Sequence, residues 1–170
     1  MKREILCHCH LVTPGVELAD AAVEIEDGVI VRVEPGTPSW ARGGRDLEGR
    51  MAAPGFIDVH CHGRNNVDFS DGSAEAVRAI AENKLAEGVT TLLPTTLTLP
   101  EADLADALAA VAAYDGRTGC RIPGVHLEGP FINSKCVGAQ NPAFVRKPDI
   151  AEIDRLNKIF PVKKDRKSVV

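Results

Sequence analysis

Short apolar runs rich in Val and Ile open the chain. Residues 4 to 12 (EILCHCHLV) and 22 to 34 (AVEIEDGVIVRVE) predict strands. The second run is split by Asp27-Gly28, a hairpin signal because a type I′ turn needs positive φ at both central positions. Residues 35 to 52 (PGTPSWARGGRDLEGRMA) are rich in Pro, Gly and Arg and predict a connection with at most one further short strand. Residues 1 to 52 therefore read as a small all-β unit of sandwich type, and residues 53 to 170 as a second part of different texture.

Pro54-Gly55 marks the change. FIDVH, residues 56 to 60, is a brief apolar run of the sort buried on both faces in a parallel sheet, and a Gly/Asn/Asp-rich loop follows from Gly63 to Gly72. Across residues 73 to 87, Ala76, Val77, Ile80, Ala81 and Lys84-Leu85 recur at helical spacing, with Ser73 as N-cap and Gly88 as the stop. VTTLLPTTLT predicts a β-branched strand, Pro100 takes the first position of the next helix, and EADLADALAAVAAY continues that helix to about Asp115-Gly116. A third strand is expected from about Arg121 to Glu128, then a long loop, a helix over Ile150 to Ile159, and a possible further strand from FPV. Strands alternating with helices predict the α/β class, with βαβ units and a parallel sheet.

Composition narrows the partners. The formal charge is −4 over 170 residues, without the basic surplus that displaces counterions from nucleic-acid phosphates. No apolar stretch approaches the roughly 20 residues of a membrane span, and MKREIL lacks the apolar core of a secretory signal. The expected compartment is the cytoplasm. Five irregularly spaced cysteines fit reduced thiols rather than a disulfide framework.

Three clusters carry metal-type side chains. In Cys7-His8-Cys9-His10 the strand period sends cysteines to one face and histidines to the other, so the run reads as two faces of a first strand. In His60-Cys61-His62 the same period puts both imidazoles on one face, about 6 to 7 Å apart, a span that two ligands of one cation bridge. The C-terminal end of a parallel strand is where α/β proteins build sites. Two surface histidines at a strand end are the alternative, and Cys61 would face the strand–helix layer. In His126-Leu127-Glu128-Gly129-Pro130, Glu128 stands at the mouth of the third strand, able to offer an oxygen to the same cation. A capping or ion-paired Glu128 is the alternative there, and His126, one layer deeper, reads as a core or supporting residue.

APGFIDVHCHG, GVHLEGPFIN and GAQNPAFVRKPD together resemble the N-terminal half of the N-acetylglucosamine-6-phosphate deacetylases of the amidohydrolase superfamily. The resemblance runs from residue 4 to about 160. It implies a (β/α)8 TIM-type barrel, of which this chain holds the first three to four βα units after a small all-β unit. It implies that His60, His62 and Glu128 are metal ligands and that Ala139 and Gln140 contact the sugar phosphate. Relatives often carry His at the Gln140 position, and Asn65, Asn66 and Asp68 receive no role. The implied cofactor is a divalent metal, zinc first, with iron, manganese or cobalt as alternatives.

The implied partners are an N-acetylated amino-sugar phosphate and, in the full-length protein, a second copy of the chain. The implied reaction releases acetate and glucosamine 6-phosphate, with water activated by the ion and an Asp from the last barrel strand as general base and acid. That Asp would lie beyond residue 170. A (β/α)8 barrel takes about 250 residues, and the charged tail VKKDRKSVV reads as an interruption by truncation, frameshift or fragment boundary. The chain is thus expected to be an incomplete, inactive part of a deacetylase. A different amidohydrolase and a non-catalytic module that binds metal or sugar phosphate are the competing readings.

Overall fold

The computed structural model describes residues 2–166. Contacts divide the chain into two compact units, Met1–Pro54 and Gly55–Val170.

The first unit is a small sheet. β1 (Arg3–Thr13), β2 (Val16–Glu26) and β3 (Val29–Pro35) form an antiparallel meander. Asp27 and Gly28 both have positive φ, 47° and 83°, as the turn chemistry requires. β2 starts at Val16, six residues earlier than the Val/Ile run indicates, because Val16 pairs with Thr13 across a tight turn. Two further strands, β4 (Arg45–Asp46) and β5 (Met51–Ala52), run parallel to β1, where at most one was expected. Strands of two residues are too short to show a period. Cys7 and Cys9 are buried, and Cys9 packs with Leu11, Ala21 and Val23. His8 and His10 turn outward to Asp46 at 3.0 Å and Glu17 at 2.7 Å, so CHCH is two faces of one strand and not a metal cluster.

The second unit contains β6 (Phe56–Cys61), a two-residue hairpin of β7 (Gly63–Arg64) and β8 (Val67–Asp68), α1 (Ala74–Leu85), β9 (Val89–Thr96), α2 (Glu101–Ala112), β10 (Val125–Glu128), α3 (Ile150–Ile159) and β11 (Val162–Arg166). β6, β9, β10 and β11 make a sheet in that order, each neighbour parallel to the next. The core lies between this sheet and the helices. Val77 and Ile80 of α1 and Leu104 and Leu108 of α2 pack with Leu92, Val125, Leu127 and Leu156, all essentially buried. The chain is thus a mixed α/β structure with a small β unit.

Ser73 caps α1, its hydroxyl accepting from the Ala76 N–H at 3.2 Å, and Gly88 takes the positive φ of the stop, 78°. Replacing Ser73 with Ala should cost about 1 kcal/mol, read as a lowered thermal midpoint; a Ser73→Asp variant should retain the wild-type value.

Four expectations are corrected. β6 is not buried on both faces: Phe56 and Ile57 are 69% and 67% exposed, because among the described residues the strand pairs only with β9 and forms the sheet edge. The third strand begins at Val125, not Arg121, since Pro123 lacks an N–H for a ladder; Arg121 makes only an isolated bridge to Thr91. Pro100 sits at the N-cap, one place before the helix. The tail does not interrupt the pattern through Arg166, since VKKDR is strand β11. No helix among the described residues is long and apolar enough to cross a membrane.

Candidate metal site

Three sheet strands end side by side, and chemistry collects there. β6 delivers His60, with His62 just beyond its last residue, and Glu128 closes β10. Period-two alternation buries Cys61 within the strand–helix core, where its sulfur reaches the Gly63 carbonyl at 3.5 Å, and sends both imidazoles the other way. Their ring centroids are 5.0 Å apart. Gly63 is needed immediately afterwards, because a Cβ there would collide with the Val67 carbonyl across the β7–β8 hairpin. Asn65 and Asn66 form the turn of that hairpin with positive φ of 55° and 62°, and Asp68 caps the short helical turn that follows by accepting from the Ser70 N–H at 2.7 Å. These three side chains build the loop.

His62 Nε2 lies 2.7 Å from Glu128 Oε2, and His60 Nε2 lies 3.7 Å from the same oxygen. One donor atom from each residue falls within 4.8 Å of the other two. Glu128 is only 4% exposed. Burial pushes its carboxyl pKa up, but hydrogen bonds from Arg166 and His62 and the charges of Arg166 and His60 outweigh this and hold it below the usual range.

The donor set suits a divalent cation of borderline softness: two imidazole nitrogens and one carboxylate oxygen, already convergent and partly dry. His62 Nε2 faces the Glu128 carboxylate, and its Nδ1 is a buried atom without a hydrogen-bond partner.

His126 stays one layer down. It is buried, its ring 5.1 Å from that of His60, and Thr95 Oγ1 is 3.4 Å from its Nδ1. Burial, with the neighbouring charges of Lys164 and His60, lowers its pKa to about 4, so it is neutral at pH 7.

Ala139 and Gln140, the residues expected to contact a sugar phosphate, fall on the loop after β10. Gln140 is buried and Ala139 exposed beside it. Gln140 Oε1 accepts from the Thr98 N–H at 2.6 Å, and Thr98 Oγ1 donates to the Glu128 carbonyl at 3.2 Å. Thr98 therefore ties the Gln140 loop to the ligand strand, and the Gln140 amide N–H groups are left free of that bond. Arg146 fastens the same loop. It pairs with the buried carboxylate of Glu152 and donates to the carbonyls of Leu99 and Phe144 at 2.9 and 3.0 Å.

Thr98, Arg146 and Arg166 were not singled out by the sequence. Thr98 sits in a β-branched run that reads as a strand former, and the Arg146 signal, NPAFVR, is legible only through resemblance.

Imidazoles and a carboxylate gathered at the carboxyl ends of parallel strands define the metal-ligating class of α/β proteins. Among known proteins, this chain is related to the amino-sugar-6-phosphate deacetylases. It is 36% identical over 148 residues to N-acetylgalactosamine-6-phosphate deacetylase of Escherichia coli O157:H7, covering 86% of this chain and 38% of that protein. It is 40% identical over 106 residues to N-acetylglucosamine-6-phosphate deacetylase of Mus musculus, covering 60% of this chain and 26% of the relative. The solved N-acetyl-D-glucosamine-6-phosphate deacetylase of Mycobacterium smegmatis, a mutant in complex with N-acetyl-D-glucosamine-6-phosphate, superposes with a TM-score of 0.79 at 30% identity, covering 94% of this chain and 41% of that one. No protein-family model matches. The chain spans between about a quarter and two fifths of the length of the curated relatives named here.

Proposed function

We propose that the second unit carries part of the metal site of an amino-sugar-phosphate deacetylase, with His60, His62 and Glu128 as ligands. Convergence of these three donors on one point is the observation that carries the reading. The acetylated amino-sugar 6-phosphates named for the relatives supply the substrate class, and zinc best suits the donor set, ahead of iron, manganese or cobalt. The sheet, which adds strands in chain order without reversal, is read as the first part of a (β/α)8 barrel rather than a doubly wound sheet.

When bound, the ion would acidify a water and polarise the acetyl carbonyl. Everything else falls to side chains. His60 and His62 offer imidazole nitrogens on one side, Glu128 brings the negative charge, and His126 packs against the His60 ring. Gln140 and Ala139 are placed to meet the sugar phosphate, the Gln140 amide donating hydrogen bonds. No residue of this sequence is assigned the acid–base step, which is worth about 10² to 10⁴ in rate, so the 170-residue chain is expected to release acetate at no more than a trace rate. A cytoplasmic setting and dimerisation complete the reading.

The test is zinc titration by calorimetry and elemental analysis. One ion per chain is expected, lost in both His60→Ala and His62→Ala. Absence of bound zinc at micromolar concentrations in wild-type protein would sink the site. Acetate release from N-acetylglucosamine 6-phosphate at a deacetylase-like rate would show that the acid–base group lies within these residues.

A further inference from the structure

Arg166 is the outermost residue of β11, and the strand register sets it directly beside Glu128, the last residue of β10. Alternation along the two strands brings Lys164 and Arg166 to the same side as His126 and Glu128. Lys164 and Arg166 line one cavity of about 450 Å³ with His60 and His126. The two oxygens of Glu128 are divided between partners: Oε2 faces His62 and His60, whereas Oε1 is taken by the Arg166 guanidinium. Glu128 is buried and confined, while the Arg166 side chain is 54% exposed.

We propose that Arg166 is a positioning residue of this metal site, holding Oε1 of Glu128 so that an ion meets a single carboxylate oxygen, Oε2, beside a fixed positive charge. The inference rests on the ligand reading of His60, His62 and Glu128. A guanidinium keeps its charge at every working pH and binds carboxylates through directed N–H groups. It therefore draws electron density from the ligand, blocks two-oxygen coordination and repels the cation. Each effect weakens binding, so Arg166 sets a lower affinity than the three ligands alone would reach.

The experiment compares zinc affinity in the complete 170-residue chain and its Arg166→Gln, Arg166→Met and Arg166→Lys variants, with cobalt(II) absorption as a second readout. Removing the charge removes its repulsion of the cation and should tighten zinc binding about tenfold. Weaker cobalt bands should accompany this, as two-oxygen coordination raises the coordination number. Arg166→Lys, which keeps the charge, should stay within about threefold of wild type. Far-ultraviolet circular dichroism confirms folding, and either Gln or Met suffices if the other fails to fold. Unchanged or weaker zinc binding in the folded neutral variants, with wild type still binding, overturns the role of Arg166 and leaves the ligand reading standing. Loss of zinc binding in every protein, wild type included, overturns the ligand reading and this inference with it.

Discussion

Glu128→Gln is expected to lower zinc affinity by about 100-fold or more while leaving the fold intact. The amide keeps the shape of the carboxyl and a carbonyl oxygen, but removes the only negative charge among the three donors. Two neutral imidazoles and an amide are a poor set for a divalent ion, and the Arg166 guanidinium would then face it unopposed. The same substitution has a pH signature in metal-free protein. The Glu128 carboxyl has a folded pKa below its ordinary value, so its stabilising contribution is fully present above the unfolded pKa, near 4.3, and is lost as pH falls through the folded value. Wild type should therefore exceed Glu128→Gln in stability by about 1 to 2 kcal/mol at pH 7, a modest figure because Arg166 is half exposed. The gap should close on acidification below about pH 4. Urea midpoints at pH 7 and pH 3 measure it. A gap that persists at pH 3, or zinc affinity within threefold of wild type, contradicts the assignment.

Gly129→Ala should be the more damaging change to the fold. Gly129 follows the ligand directly and has φ of 88°, a conformation that L side chains adopt only under strain. A Cβ at this point would also run into the Thr98 side chain, whose hydroxyl donates to the Glu128 carbonyl while the Thr98 backbone N–H donates to Gln140. Strain and collision together should cost about 2 to 4 kcal/mol, a fall in thermal midpoint of roughly 4 to 16 °C. The variant should also bind zinc more weakly, because relief requires moving the Glu128 backbone. Combining it with Thr98→Ala should recover part of the stability, as only the collision is removed. A single variant that melts within 2 °C of wild type would show that the turn tolerates the methyl group.

The grouping of His60, His62 and Glu128 was legible in the sequence because two simple rules apply to it. A strand presents every second residue to one face, which pairs His60 with His62 and sets Cys61 aside. A Gly-Pro pair ends a strand, which puts Glu128 at its mouth. The helices were legible through their caps, with Ser73 and Gly88 bounding α1 as read. β11 was legible only as a possible strand from FPV, because its site-facing residues are Lys164 and Arg166: a strand whose periodic face is cationic gives no hydrophobic signal, and the charged stretch reads as an interruption. FIDVH failed in the opposite direction, since an apolar run shows that a strand is greasy but not which faces are covered. Thr98 was hidden for a third reason. Its role depends on Glu128 and Gln140, 30 and 42 residues away, and a hydroxyl and an N–H spent on such distant partners leave no local pattern.

The strand order of the second unit bears on how the chain is assembled. Phe56 pairs with Val89, Thr95 with His126, and Val125 with Val162, so each ladder closes a loop of roughly 30 to 40 residues, and the entropic cost of closure is nearly the same at every step. Among the described residues, each pairing in this sheet joins two of its strands that follow one another in chain order. Each pairs with the last one laid down, so the sheet can grow from the N-terminal side as the polypeptide leaves the ribosome. Glu128 then comes into reach of His60 and His62 at the second pairing, and Arg166 joins them at the third.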